Sequence, residues 1–547
     1  MSIRYTRLVS DQNSLRIKAF DRWLRANLPL KFLKQEIFLV SIVVSSFILL
    51  ILSTFLIPDS SDEIENPLID YGVVVDCGSS GSRAHIFTWP KISAHSRLAE
   101  SIEPVRDKST GQALTKHITP GLSSLHSEPD KASDYMEPVM QFISDSIPRS
   151  RHLETPIYFL ATAGLRLLEE STQRRILNDI TRDLRVKFDF PRIKSQVISG
   201  EFEGVYAWLS LNVRRLFHNN TVHHSMGKTD TSDMSADSIG MIEVGGASVQ
   251  VVYELTNDVE KSVLANMRSN DAITAFRHQQ STVKVSENQN LKLFAATFLG
   301  LGVNSARQFS VDLLVRDHLR TIDASGAPIS NDNLTNHTLK LDDPCLSENS
   351  NELMVRPIGV ATDLRETMKF INGDENQTFK VQLEGSGNFL NCINLLERVI
   401  QLMKTTRLNC PSKKKPNPCP MSLLGERFIP YDHYRFVGLS EMFFTTNEMM
   451  NLSGTFNKSS IMHKSNEICS TKYHELIERY SKDSSITHPD RIFYECFKAC
   501  WILTLMHSNG FSLPNDYRHF NTLERLDGKE IDWTIGALVT EIALNQS

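Results

Sequence analysis

Two stretches of the sequence place one acidic residue before a run of glycines and small residues. The first, YGVVVDCGSSGSRAHIFTW (residues 71–89), has Asp76 at the end of an apolar run, and alternation of apolar and polar residues resumes after the turn. The second, SIGMIEVGGASVQVVYE (residues 238–254), has Glu243 at the same place. Each pattern predicts a strand, a tight turn and a second strand.

Turns of this composition suit a phosphate. Glycines let successive backbone N–H groups point at one anion, and serine hydroxyls donate further hydrogen bonds. An acid at the strand end does not bind phosphate itself, but it holds a hydrated divalent cation that bridges to phosphate. One such turn is usually an ordinary hairpin, whereas a matched pair predicts a polyphosphate clamp on a duplicated lobe. Neither turn is a Walker loop, because neither contains G-K-S/T or leads into a helix.

Two segments between the hairpins carry further candidates. PIYFLATAGLRLLEE, from residue 156, predicts a strand and then a helix start, and Thr162 there is either a helix cap or a nucleotide contact. VISGEFEGVYAWLSLNVRRLF (residues 197–217) predicts a strand and then a helix beginning near Glu201, whose apolar side includes Phe202, Val205 and Leu209. Glu203 lies in the first turn of this helix. It is either a surface carboxylate whose charge interacts favourably with the helix dipole or a base that takes a proton from water.

The N-terminal region predicts one membrane anchor. Residues 37–57, IFLVSIVVSSFILLILSTFLI, carry no charge and are long enough to cross a hydrocarbon core of about 30 Å as a helix. Basic residues precede this run and acidic residues follow it, so the positive-inside rule predicts a cytosolic tail (1–36), a signal anchor (37–57) and a lumenal stem (58–67). A cleaved signal peptide fits worse because a long tail precedes the run. No second span is expected near the C-terminus.

Composition narrows the class further. The chain has 547 residues, 41% of them hydrophobic, and a net charge of −5. It can therefore fill two or three hydrophobic cores, and it lacks the basic footprint of a nucleic-acid binder.

Glycosylation sequons and cysteines agree with a lumenal placement. In an oxidising compartment most of the eight cysteines should pair, and the absence of C-x-x-C argues against zinc. Cys410 and Cys419 bracket the loop PSKKKPNP, which suggests a disulfide at its base, and Cys77 is the first candidate for a free thiol. The predicted N-glycosylation sites are Asn219, Asn333, Asn336, Asn376, Asn451, Asn457 and Asn545.

The motifs, in their order and spacing, resemble the five apyrase regions of the ecto-nucleoside triphosphate diphosphohydrolases. These are DCGSSGSR, ATAGLR, SGEFEGVYAW, EVGGASVQ and GLSEMFF, and TPGLSSL, TFLGLGVNSARQ, GSGNFLNC and DWTIGAL extend the match. The residues of these motifs most resemble those of the intracellular Golgi and lysosomal branch, which acts on nucleoside diphosphates such as UDP and GDP as well as on triphosphates.

The resemblance implies an α/β fold of two RNase H-like lobes, as in the actin and Hsp70 superfamily, with the active site in the interlobe cleft. Lobe I is expected at residues 68–200 and lobe II at 201–510, with a C-terminal segment, 511–547, that returns to lobe I. The implied disulfides are Cys345–Cys392, Cys410–Cys419 and Cys469–Cys496, which leaves Cys77 and Cys500 unpaired.

The resemblance also implies roles for individual residues. Glu203 is the expected general base, Ser248 and Gln250 position the attacking water, and Asp76 and Glu243 hold Ca²⁺ or Mg²⁺, with Mn²⁺ a third candidate. Phe443 or Phe444 is expected to stack on the base. The expected phosphate- and nucleotide-binding residues, beside those two aromatics, are Gly78, Ser79, Ser80, Gly81, Ser82, Arg83, Thr162, Gly245, Gly246 and Ala247.

Two residues depart from the family pattern. Glu243 stands where the family usually has Asp, and Val249 stands where it usually has Thr. The longer carboxylate is expected to alter the cation shell, whereas the predicted catalytic residues are unchanged.

These observations predict a lumenal nucleoside di- and triphosphate phosphohydrolase. It would release phosphate by direct displacement, without a phosphoenzyme, and clear the nucleotide products of glycosyltransferases from a type II position in the Golgi membrane. ER, endolysosomal and cell-surface membranes are alternative locations. A Golgi glycosyltransferase and a catalytically silent nucleotide-binding membrane protein are the alternative functions, and phosphate release from UDP separates them from a hydrolase.

Overall fold

The computed structural model describes most of the chain from residue 69 onward. Contacts divide the chain into two units, Met1–Pro67 and Leu68–Ser547, and only Lys18, Arg22 and Trp23 are described in the first. No helix among the described residues has the length and apolar character needed to cross a membrane, and the predicted anchor at 37–57 lies outside them. The described residues are 18, 22–23, 69–91, 101–166, 168–217, 238–286, 289–324, 338–361, 377–406, 418–452, 456–481, 489–515, 517–526 and 529–545.

The first sheet is built around the strand that ends in the first acidic motif. Its order is β3-β2-β1-β5-β6, with β4 paired to β2, and β1 runs antiparallel to β2 but parallel to β5. The β-branched run Val73, Val74 and Val75 is fully buried, as expected for a strand covered on both faces. The strands are β1 (Ile69–Cys77), β2 (Ser82–Pro90), β3 (Glu103–Pro104), β4 (Thr115–Ile118), β5 (Ile157–Ala161) and β6 (Ile193–Val197).

The second sheet repeats this arrangement around the second motif. Its order is β15-β14-β7-β8-β10-β9, and β7 runs antiparallel to β8 but parallel to β14. The strands β7, β8 and β14 therefore correspond to β1, β2 and β5 of the first sheet. The strands are β7 (Ile239–Val244), β8 (Ser248–Glu254), β9 (Gln280–Ser286), β10 (Gln289–Leu299), β14 (Arg435–Ser440) and β15 (Phe520–Thr522).

Smaller sheets and helices complete the described chain. A three-stranded sheet has the order β11-β13-β12, with strands β11 (Thr338–Asp343), β12 (Asn351–Pro357) and β13 (Thr378–Gly385), and β16 (Arg525–Leu526) pairs with β17 (Lys529–Glu530). The helices are α1 (Ala132–Ser146), α2 (Ala163–Arg166), α3 (Glu170–Lys187), α4 (Gly200–Phe217), α5 (Asn257–Asn266), α6 (Asn270–His278), α7 (Val303–Ala324), α8 (Phe389–Thr406), α9 (Glu441–Phe443), α10 (Lys458–Ser470), α11 (Tyr473–Tyr480), α12 (Pro489–Phe493), α13 (Glu495–Leu505) and α14 (Trp533–Asn545).

A central apolar cluster joins the two sheets through α4 and α14. Val74 of β1 and Val252 of β8 belong to the same cluster as Trp208 of α4 and Leu538 of α14. Within the predicted C-terminal segment, β15 pairs with the second sheet, whereas α14 packs against β1 and α4. The domain boundaries themselves stay a prediction.

One prediction for α4 is wrong. Val205 and Leu209 are buried as predicted, but the Phe202 side chain is 51% exposed. Phe202 lies in the first turn of the helix and packs on Tyr206, with ring centroids 6.1 Å apart. The helical period assigns a residue to a face, but it does not tell where along the helix the covering sheet ends.

The disulfides follow the pairing that the resemblance implied. Cys345 bonds to Cys392 and Cys469 bonds to Cys496, while Cys77 and Cys500 are free and buried. Cys419 is disulfide-bonded, and its predicted partner Cys410 lies outside the described residues. Of the predicted glycosylation sites, Asn451 and Asn457 are described and exposed.

Two ion pairs of the same type anchor α7 at very different depths. Arg356 donates to both carboxylate oxygens of Asp312, at 2.7 and 2.6 Å, and both side chains are almost fully buried. Arg398 makes a similar pair with Asp317 one and a half turns further along α7, but these side chains are 50% and 38% exposed.

Because the two ion pairs are buried to different depths, we expect their removal to lower the free energy of unfolding by different amounts. Arg356→Met leaves the buried Asp312 carboxylate without its arginine and should lower the free energy of unfolding by about 3–5 kcal/mol. The control Arg398→Met should lower it by less than about 1 kcal/mol, because water screens the exposed pair. Denaturant unfolding of both variants checks this, and equal losses would contradict the prediction.

Candidate active site

The two glycine turns have the same geometry. In the first, Cys77 pairs with Ser82, and the Gly78 N–H donates to the Gly81 carbonyl at 2.9 Å. In the second, the pairing of Val244 with Val249 and a 3.0 Å bond from Gly245 N–H to the Ser248 carbonyl repeat the pattern. The register places Asp76 opposite Arg83 and Glu243 opposite Gln250.

The turns face each other across a short gap. A Cβ atom added to Gly246 would lie 3.4 Å from the Ser79 hydroxyl oxygen, so the tips of the two hairpins are neighbours. Backbone packs closely behind each turn, since a Cβ on Gly164 would lie 2.8 Å from Ser79 Cα and one on Gly302 would lie 2.3 Å from Ala247 N. The glycines of ATAGLR and TFLGLGVNSARQ are thus needed to hold the turns in place.

The start of α7 also fixes the second turn. The Val303 N–H donates to the Gly245 carbonyl at 3.0 Å, and the Asn304 N–H donates to the Gly246 carbonyl at 2.8 Å. These bonds turn the carbonyls toward the helix, which leaves the other side of the turn for a ligand.

Asp76 and Glu243 each present a buried oxygen toward the site. Asp76 Oδ1 and Glu243 Oε2 are buried and accept no hydrogen bond from the part of the chain that the structure describes. Burial and the charge of Glu203 raise the pKa of Asp76 to about 7. The same two causes, in the same order, raise the pKa of Glu243 to about 8.

The two orphaned oxygens fit a divalent cation. Hard cations such as Ca²⁺ and Mg²⁺ take carboxylate oxygens and water as ligands. A bound cation also offsets the repulsion between carboxylates that burial makes costly. The residues present therefore suit the cation that the sequence predicted.

Glu203 lies in the first turn of α4 and pairs with an arginine that sequence reasoning did not assign. Arg166, the last residue of ATAGLR, donates through Nη2 to Glu203 Oε2, and both side chains are largely buried. Burial raises the pKa of Glu203, and the charge and hydrogen bond of Arg166 lower it, with a net increase. The basic residue two positions after the small-residue break (161–164) was the available signal.

Ser248 and Gln250 form a buried pair beside α4. Gln250 Nε2 donates to Ser248 Oγ at 2.8 Å, and the two side chains are 2% and 3% exposed, respectively. A Cβ on Gly204, the residue after Glu203, would lie 3.1 Å from Gln250 Cβ. The glycine thus lets the first turn of α4 approach Gln250, and this brings the predicted base next to the predicted water-positioning residues.

Other predicted residues are placed as follows. Thr162 is buried directly after β5, and its N–H donates to the Cys77 carbonyl at 3.2 Å. Ser79, Ser80 and Arg83 are exposed. Ser82 is fully buried, as strand alternation from the exposed Arg83 requires.

The predicted base-stacking aromatics follow the end of β14. Phe443 and Phe444 contact each other edge to face with centroids 5.9 Å apart, and the Arg491 guanidinium lies 4.4 Å from the Phe444 centroid. A π-helical turn, Phe444–Met449, continues from them. Helical turns of this kind are frequent at functional sites.

Ser440 is a second residue that sequence reasoning missed. It has φ 58° and ψ −121° at the junction of β14 and α9, a strained conformation for a non-glycine residue that costs about 1–3 kcal/mol. Its hydroxyl donates to Glu243 Oε1 at 2.9 Å. The motif GLSEMFF was noted for its aromatics, whereas its serine contacts the acidic residue of the second hairpin.

His85 and Asp532 form a pair close to Asp76. His85 Nδ1 lies 2.9 Å from Asp532 Oδ2, so the pair ties β2 to the residue before α14. Burial lowers the pKa of His85, but the Asp532 charge and hydrogen bond outweigh it and leave it raised. Burial raises the pKa of Asp532, but His85 and Thr534 bring it down to about 2.

The sequence matches the GDA1/CD39 (nucleoside phosphatase) family over residues 63–546. The chain belongs to the GDA1/CD39 family. Family membership confirms the predicted resemblance and makes the chain a nucleoside phosphatase.

Several relatives are similar over most of their length. Ectonucleoside triphosphate diphosphohydrolase 4 of Homo sapiens is 32% identical, over 87% of this chain and 73% of the relative. Ectonucleoside triphosphate diphosphohydrolase 7 of Xenopus tropicalis is 31% identical, over 86% and 73%. Nucleoside-diphosphatase mig-23 of Caenorhabditis elegans is 26% identical, over 86% and 76%.

One solved structure shares the fold. The nucleoside triphosphate hydrolase crystal structure from Neospora caninum has a TM-score of 0.55 at 14% identity, over 87% of this chain and 93% of that chain. Identity this low shows the fold alone.

The His85–Asp532 pair predicts a pH dependence of stability. Because the pKa of His85 is raised, the pair stabilises the fold fully below about pH 6.5, the ordinary histidine pKa, and loses this effect as pH rises through the higher folded value. His85→Gln should therefore lower Tm more at pH 6 than at pH 9. The exposed His463→Gln serves as the control, and an equal loss of Tm at both pH values for His85→Gln would contradict the prediction.

Proposed function

We propose that this protein is a lumenal nucleoside diphosphatase that releases phosphate from UDP and GDP, and also acts on triphosphates. The observation that carries the proposal is the close approach of the first turn of α4, which contains Glu203, to Gln250 of the Ser248–Gln250 pair, beside two facing glycine turns. The names of the similar proteins, which include triphosphate diphosphohydrolases and a nucleoside-diphosphatase, support the same substrate class.

The two large sheets are the cores of two RNase H-like lobes in this proposal. Their matching strand orders support this assignment, and the facing turns lie at the cleft between the lobes. The nucleotide lies in that cleft, with its phosphates between the turns and its base toward Phe443 or Phe444.

The turns hold the phosphates through the chain's own donors. Backbone N–H groups of Ser79 and Ser80, together with their exposed hydroxyls, face the terminal phosphate, and Arg83 offers a positive charge at the edge. Preorganised donors of this kind stabilise the charge that develops in phosphoryl transfer. Asp76 and Glu243 would hold the cation, and a bound Ca²⁺, Mg²⁺ or Mn²⁺ would neutralise phosphate charge.

Glu203 accepts a proton from the attacking water. The raised pKa of Glu203 makes its carboxylate a stronger base than an ordinary glutamate, while Arg166 keeps it oriented. Ser248 and Gln250 hold the water in line with the terminal phosphate. The oxygen of this water forms a new bond to the terminal phosphorus as the bond from that phosphorus to the bridging oxygen breaks. The bridging oxygen leaves with the rest of the nucleotide, so no phosphoenzyme forms.

The location follows from the predicted anchor. A type II orientation in the Golgi membrane places the cleft in the lumen, where glycosyltransferases produce nucleoside diphosphates. Hydrolysis to the monophosphate removes these products.

Glu203→Gln tests the catalytic role. The amide keeps the size of the side chain but accepts no proton, so kcat for UDP should fall about 10²-fold or more while nucleotide binding changes little. Phosphate release and equilibrium binding measure the two effects.

Glu201→Gln is the matched control, because it makes the same change two residues earlier on α4. It should retain near-normal kcat. If Glu201→Gln is the more damaged variant, the base is misassigned.

A substrate panel separates the alternative functions. The full-length chain, purified in detergent, should convert UDP and GDP to the monophosphate and phosphate in the presence of Ca²⁺, Mg²⁺ or Mn²⁺, and chelation should abolish the reaction. Sugar transfer from a UDP-sugar without phosphate release would favour the glycosyltransferase alternative, and binding without turnover would favour the silent one.

A further inference from the structure

Ser440 occupies a position from which it controls one carboxylate of the site. The turn from β14 to α9 resembles the sharp strand-to-helix turns that present a serine hydroxyl at the edge of a sheet. The Ser440 hydroxyl donates to Glu243 Oε1 at 2.9 Å, while Glu243 Oε2 stays buried without a partner among the described residues. One oxygen of Glu243 is thus fixed by the protein and the other is left for a ligand.

The first sheet provides an internal comparison. Cys77 pairs with Ala161 in the first sheet as Val244 pairs with Ser440 in the second. The position of Ser440 is therefore occupied by an alanine beside the shorter acid, Asp76. The additional hydroxyl and the longer acid occur together, and only in the second sheet.

The length of the side chain explains why the two occur together. Glutamate has one more rotatable bond than aspartate, so its carboxylate samples more positions unless a partner holds it. An aspartate at 243 would keep its carboxylate closer to its own backbone by about 1.5 Å, the length of one C–C bond, and would lose the 2.9 Å contact with Ser440.

We propose that Ser440 is a positioning residue that lets Glu243 serve at the cation site and sets which divalent cation binds there. The inference rests on the proposed function, which assigns the cation to Asp76 and Glu243. Mg²⁺ demands a near-ideal octahedral arrangement, whereas Ca²⁺ accepts a flexible one. A fixed Glu243 carboxylate therefore favours Mg²⁺, and a free one favours Ca²⁺.

Cation binding to the full-length chain without nucleotide tests the inference. Ser440→Gly removes the hydroxyl and suits the positive φ, so the fold is kept. Calorimetric titration should show the Kd for Mg²⁺ rising about tenfold, in proportion to the loss of one hydrogen bond to a charged group, and the Kd for Ca²⁺ rising less.

Two further variants separate the hydroxyl from the backbone. Ser440→Ala should show the same change in the Mg²⁺ to Ca²⁺ ratio without the gain in Tm expected of glycine. Ser512→Gly relieves a positive φ of 53° elsewhere in the chain and should leave cation binding unchanged.

A double-mutant cycle tests the coupling. In a Glu243→Asp background the hydroxyl no longer reaches the carboxylate, so adding Ser440→Gly should change the Mg²⁺ Kd less than twofold. Equal effects of Ser440→Gly in both backgrounds, or no effect with Glu243 present, would overturn the inference. The cation titrations do not depend on hydrolysis, so they test the role of Ser440 separately from the proposed function. If the coupling is present but the chain releases no phosphate from UDP in a separate assay, only the proposed function is contradicted.

Discussion

Three buried carboxylates, held close enough to influence one another, are the constraint on which the rest of the site depends. Burial raises the pKa of Asp76, Glu203 and Glu243, and the charge of Glu203 raises the first and third further. Two of these carboxylates have different hydrogen-bond donors: Arg166 donates to Glu203, and the Ser440 hydroxyl donates to Glu243. Among the described residues, one oxygen of Asp76 and one of Glu243 have no hydrogen-bond partner, and such oxygens suit a divalent cation.

The duplicated sheets explain how such a site is assembled and why its halves differ. Both hairpins have the same register and the same parallel neighbour strand, so each sheet delivers an acid to the cleft at an equivalent point. The two sheets differ in the residues that surround this acid. Asp76 lies near the His85–Asp532 pair and opposite Arg83, whereas Glu243 is opposite Gln250, which holds Ser248. The same backbone thus carries two acids with different surroundings.

The local sequence was sufficient to predict the two hairpins and to identify the family. An acid at a strand end followed by glycines is a short-range pattern, because the turn needs glycine and the strands need alternating apolar residues within a few positions. The match of the two patterns predicted the duplication that the strand orders display. Ordered motifs identified the family, and the implied pairing of Cys345 with Cys392 and of Cys469 with Cys496 is present.

Only the tertiary structure decided which partners those residues meet. Arg166, Ser440 and Asp532 are 37, 197 and 447 residues away in the chain from their partners Glu203, Glu243 and His85, respectively, and no local pattern reports a contact over such distances. The same limit accounts for the exposed Phe202, whose exposure depends on where a neighbouring element ends. Periodicity and turn chemistry act over a few residues, so the sequence determined the elements and their candidate chemistry. Side-chain pairing across the cleft depends on packing between distant segments, and this set the charge balance of the site.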